Sequence, residues 1–87
     1  MKLLNKHRNF IPKDAVYIGR GSKWGNPFII GKDGTREEVI SKYEKYIRSN
    51  PALLKCLPEL VGHDLVCFCA PLPCHGNILI RLVGELR

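Results

Sequence analysis

The chain has 87 residues, 45% of them hydrophobic, with 14 Lys and Arg against 8 Asp and Glu, a formal charge of +6. That length holds one small domain, and a chain of this size buries only roughly 60–65% of its unfolded surface. The hydrophobic content excludes a disordered chain, and no apolar run approaches the roughly eighteen residues that span a bilayer. The net charge favours an anionic partner.

Residues 2–5 read as a short first strand, and residues 12–14 as a turn. Residues 15–18 (AVYI) are β-branched and aromatic, bounded by Asp14 and Gly19, and form a strand. Residues 19–27 (GRGSKWGNP) carry three glycines and a proline and form a shaped loop. Residues 28–30 are expected to extend briefly, before a turn at residues 31–34.

Thr35 and Glu38 have the spacing of a capping box. The helix after them carries Val39, Ile40, Tyr43 and Ile47 on one face. Asn50 caps a second helix with Pro51 at its first position and Leu53, Leu54 and Leu57 inward; Pro58 limits it. Residues 65–69 (LVCFC) are apolar throughout, which suits a central strand. A last helix opens near Cys74 and His75, its apolar face made by Ile78, Leu79, Leu82, Val83 and Leu86. Two helices between the strands at residues 15–18 and 65–69 permit a parallel crossover. The expectation is a single compact α/β domain over residues 1–87, with a small, mainly parallel sheet flanked by about three helices.

In open parallel sheets, ligands sit beyond the carboxyl ends of the strands. The loops after residues 18 and 69 should therefore open on one edge. The second loop carries Cys67, Cys69, Cys74 and His75 in a C-x-C-x4-C-H pattern. Cys67 and Cys69 should share a strand face. Three thiolates and an imidazole supply the four N/S ligands that Zn2+ takes. A metal-free reading stands beside it: Cys67 and Cys69 as small buried hydrophobes, and Cys74 as a thiol at a helix start with His75 as its acid–base partner. Cys56 reads as core filler.

The first loop holds Arg20, Ser22, Lys23, Trp24 and Asn26. Arg20 can grip a carboxylate or phosphate with a bidentate fork. Trp24 can stack a heteroaromatic ring, and Asn26 can read an amide-like edge. The partner expected on this basis is a small anionic heteroaromatic ligand, a nucleobase or nucleotide. Against this, Trp24 can equally be a core anchor, and Arg20 can pair with Glu37, Glu38 or Asp64. A phosphate-binding P-loop is excluded, since its Gly-Lys-Ser signature is missing. Nucleic acid is not favoured, because the basic residues form no block. The N-terminal segment is too short in apolar residues for a signal-peptide core, so the expected location is the cytoplasm.

Residues 16–28 (VYIGRGSKWGNPF), residues 65–76 (LVCFCAPLPCHG) and the residues 58–60 between them resemble the domain of unknown function 4326 family of small phage and prokaryotic proteins. The resemblance runs from about Leu3 to Val83. The sequence departs from the family pattern at Phe68, usually tryptophan, and at Asn77, usually aspartate. Some members sit near genes for modified guanine bases. The resemblance implies an enzyme of 7-deazaguanine metabolism, with removal of the carboxyl group from a 7-carboxy-7-deazaguanine base as the activity, a phage or prokaryotic setting, and the host cytoplasm if phage-encoded. Cys74 or His75 would then move the proton that the ring carbon takes up as carbon dioxide leaves. The alternative from a different class is a zinc-stapled module that captures a nucleotide or a host protein without turnover.

Overall fold

A computed structural model describes residues 2–7, 10–68 and 74–86. In chain order the elements are β1 (Leu3–Asn5), β2 (Val16–Tyr17), α1 (Arg36–Arg48), α2 (Pro51–Cys56), a 3₁₀ turn (Leu57–Leu60), β3 (Leu65–Cys67) and α3 (His75–Gly84). The sheet order is β1-β3-β2, and β3 is parallel to both neighbours. The expected α/β architecture and mainly parallel sheet are thus present, with the apolar segment in the middle.

The strands are shorter than their apolar runs: β2 is two residues long and β3 three. Ile18 nevertheless continues the ladder by donating its amide to the Val66 carbonyl at 2.9 Å. Residues 28–30 do not extend as a strand. The Asp33 carboxylate accepts the Ile29 amide at 2.8 Å, and Gly31 donates to the Gly34 carbonyl, which curls the segment into a turn joined by one isolated bridge.

Register decides the two faces of the sheet. Leu3, Val16 and Leu65 lie side by side, as do Leu4, Tyr17 and Val66. The first set, with Ile18 and Cys67, packs against the helices in one core that includes Tyr43, Ile47, Leu60, Leu79 and Leu82. The second set lies on the outer face.

Local chemistry explains the helix boundaries. Thr35 and Glu38 form the capping box, and the Asn50 side chain accepts the Leu53 amide at 3.2 Å. In α1 the buried face is Val39, Tyr43 and Ile47. In α3, Ile78, Leu79 and Leu82 are buried, whereas Leu86, expected on that face, is 45% exposed because α3 ends at Gly84. Cys56 is half-buried against the core, as expected of filler.

The loop from Ile18 to Trp24 is fixed from inside. The Tyr43 hydroxyl is fully buried and donates to the Trp24 carbonyl at 2.7 Å. Buried hydroxyls need such a partner, since desolvation is otherwise uncompensated. Replacing Tyr43 by Phe keeps the ring but removes that donor. The expected outcome is a loss of about 1–2 kcal/mol of unfolding free energy in urea titrations, with helical circular dichroism retained; an unchanged midpoint would show that the bond adds nothing to stability.

Candidate functional site

The parallel pairing of β2 and β3 puts the carboxyl ends of both strands, and with them the glycine-rich loop and Phe68, at the same edge of the sheet. A cavity of about 290 Å³ opens there. Its polar lining is Arg20, Asn26 and Arg36, together with Cys74 and His75. Its apolar wall comes from residues 28–30 of the turn and from Val39 and Ile40 of α1. Two residues of the glycine-rich loop and two of the cysteine–histidine cluster thus line one space.

Other loop residues do not line it. Trp24 is only 2% exposed and belongs to the core, so its face is covered by protein and the core-anchor role is the one it fills. Ser22 turns inward on its own loop, its hydroxyl donating to the Gly19 carbonyl at 2.7 Å. Lys23 pairs with Glu59 on the surface at 2.7 Å. Asn26 borders the cavity with both ends of its amide engaged: Nδ2 donates to the Val39 carbonyl at 3.2 Å, and Oδ1 accepts the Phe28 amide at 2.9 Å. Its contribution is to join the loop to α1. Among the described residues no carboxylate pairs with the Arg20 guanidinium, so the ion pairs with Glu37, Glu38 or Asp64 are not made.

The sequence reading missed Arg36 and the apolar wall. Arg36 is the first residue of α1, where the helix dipole favours an anion. A cation placed against that preference was the available signal.

The far side of the cavity is the start of α3. Cys74 caps this helix: its sulfur accepts the Gly76 amide at 3.3 Å, and its own amide donates to Asn77 Oδ1 at 2.9 Å. Residue 77 therefore acts through a neutral side-chain oxygen, which the amide supplies as well as a carboxylate. Gly76 lets α3 approach the sheet closely. A β-carbon there would sit 2.5 Å from Leu3 Cδ1 and 2.8 Å from Ile18 Cδ1.

The Cys67 and Cys74 sulfurs are 3.5 Å apart and both are buried. Two thiolates at about 2.3 Å in a zinc tetrahedron stand roughly 3.8 Å apart, so this pair fits one edge of such a site. His75 is arranged differently. Its Nε2 donates to the Ile18 carbonyl at 2.6 Å, and its ring meets Tyr43 edge-on at 4.9 Å. The imidazole would have to leave that carbonyl for Nε2 to ligate a metal. Among the described residues no three His, Cys, Asp or Glu side chains converge as a metal set. Cys69, the remaining member of the expected ligand set, lies outside the described residues.

The model for "Domain of unknown function (DUF4326)" matches residues 2–85. The chain belongs to this family. Among its relatives, an uncharacterized 12.4 kDa protein in the nrdA-td intergenic region of Enterobacteria phage T4 is 37% identical over 90 residues, covering 98% of this chain and 79% of that protein. The uncharacterized protein R718 of Acanthamoeba polyphaga mimivirus is 36% identical over 98 residues, covering 91% of this chain and 75% of that protein. No solved structure matches at a significant level. Among the described residues, no helix is long and apolar enough to cross a membrane.

Burial holds the His75 pKa below its ordinary value of 6.5, outweighing the Ile18 carbonyl, which favours the protonated ring. As pH falls through 6.5 the unfolded chain takes up a proton that the folded chain refuses, so stability is full above that pH and declines below it. Chelator-treated protein should therefore lose stability on acidification by up to about 1.4 kcal/mol per pH unit from this group. His75→Gln should flatten that limb in urea titrations from neutral to mildly acidic pH; identical limbs in the two proteins would place the acid sensitivity elsewhere.

Proposed function

We propose that this chain binds a small, acidic, base-sized ligand in the cavity between the glycine-rich loop and the start of α3. The observation that carries the reading is the meeting of Arg20 and Arg36 on one cavity with an apolar wall. Guanidinium groups recognise carboxylate and phosphate in plane, and an apolar wall accepts the faces of a flat ring. A volume near 290 Å³ is at the small end for ligand pockets, which suits a base better than a whole nucleotide. The cavity does this without Trp24, so the ring would lie against the residues of the turn and α1.

The family resemblance makes 7-carboxy-7-deazaguanine the first ligand to try. Its carboxylate would meet the arginines. Turnover would exchange that carboxyl group for a proton on the ring carbon and release carbon dioxide. The Cys74 thiol, at the cavity wall, is the group to deliver that proton, because the Nε2 proton of His75 is directed at Ile18. Capture without turnover is the competing outcome of the same experiment.

Isothermal titration with the carboxylated base, the same base lacking the carboxylate, and guanosine monophosphate tests the reading. The carboxylated base should bind, removal of its carboxylate should abolish most of the affinity, and Arg20→Ala should weaken binding by roughly tenfold to a hundredfold, as expected for a hydrogen bond to a charged group. Equal binding of the acidic and neutral bases, or none of either, would overturn it. Mass spectrometry of the incubated ligand separates decarboxylation from capture.

A second reading is favoured by the 3.5 Å separation of the Cys67 and Cys74 sulfurs. Cys67, Cys69 and Cys74 would hold zinc, which would supply a structural cross-link between β3 and α3. Protein purified without chelators should contain about one zinc per chain by elemental analysis, and Cys67→Ser should lower that content. Metal-free protein of full stability would rule this reading out.

A further inference from the structure

We infer that the outer face of the sheet, at the carboxyl ends of its strands, is a docking platform for single-stranded nucleic acid, formed by Tyr17, Phe68, His7 and Lys6. This goes beyond the cavity reading and stands or falls without it. Parallel sheets normally have both faces covered. Here the helices cover the inner face, and on the outer face Val66 of the middle strand is only 4% exposed, so the open part is the end of that face, where Tyr17 and Phe68 stand outside the core. Tyr17 is 37% exposed and Phe68 48% exposed.

These rings form a cluster. Tyr17 and Phe68 meet edge-on with centroids 6.1 Å apart, and the His7 ring lies 5.1 Å from Phe68. The Lys6 ammonium is 5.4 Å from the Tyr17 centroid and 5.8 Å from that of Phe68. Tyr17 is held in place: its hydroxyl donates to the Arg20 carbonyl at 3.2 Å, and its ring lies over Gly19, where any β-carbon would collide with the hydroxyl. The platform is thus preorganised by a glycine that leaves room for the ring.

The occupant follows from the chemistry. Part-exposed rings with an ammonium lying over them match a strand that offers bases and phosphates together. A duplex hides its base faces, so the single strand is the fit. Among the described residues no carboxylate pairs with Lys6, and the chain carries a formal charge of +6. The spread of charge along the sequence did not by itself favour nucleic acid; two exposed rings beside a lysine supply what that argument lacked.

Fluorescence anisotropy with labelled oligothymidylate and oligouridylate at low salt is the test. Binding should weaken with salt, and Tyr17→Ala and Phe68→Ala should each reduce affinity by roughly fivefold to a hundredfold. Phe68→Leu keeps the apolar cover but not the ring, so it should also weaken binding while thermal unfolding stays close to wild type. Lys6→Gln should lower the salt slope by about 0.7. The proposal is overturned by no binding to either oligonucleotide, by binding that Tyr17→Ala and Phe68→Leu leave unchanged, or by equal affinity for a duplex, the first result leaving a protein partner as the occupant to seek.

Discussion

Two buried hydrogen bonds hold together the edge of the sheet where the cavity opens. Tyr43 of α1 donates to the Trp24 carbonyl, and His75 of α3 donates to the Ile18 carbonyl. The loop between those carbonyls is rich in glycine and has little intrinsic shape. Tied at both ends to different helices, it presents Arg20 at a set place. Because Tyr43 and His75 also touch each other, the two ties share one packed contact. Their cost is desolvation of a phenol and an imidazole, offset by their hydrogen bonds.

That arrangement gives the residues of one short motif different places in the structure. Trp24 and Ser22 stabilise the loop, Asn26 joins it to α1, and Arg20 is left at the cavity. The same division runs through the second motif. Cys74 and Asn77 cap α3, Gly76 sets how near it comes to the sheet, and Cys74 also borders the cavity. The cavity is therefore lined by residues that hold the fold, Asn26 and Cys74 among them, as well as by Arg20 and Arg36. Its edge continues onto the outer face through Arg20, whose carbonyl anchors Tyr17.

Much of the fold was legible in the sequence. The capping box at Thr35, the Asn50–Pro51 helix start and the apolar faces of α1 and α3 are local signals, governed by spacing and by the backbone groups a few residues away. The strand ends were less legible, since an apolar run says that residues are buried and does not say how far hydrogen bonding continues. The turn at residues 28–30 was misread as extended because Asp33 reaches back to the Ile29 amide, a bond between side chain and backbone that hydrophobic pattern does not register.

By itself the sequence determined the α/β class, the parallel crossover and the convergence of two motifs on one edge of the sheet. These follow from periodicity and from the geometry of parallel strands. Only the tertiary structure decided which polar and aromatic residues line the cavity and which are buried or exposed. A tryptophan among glycines has the same local signature whether it stacks a base or fills a core; the packing of α1 and α3 put Trp24 in the core. Arg36 and Arg20 are sixteen positions apart in the chain, and only the fold brings them to one cavity. Tyr17 and Phe68 looked like strand interior, yet they stand part-exposed at one end of the sheet face opposite the helices.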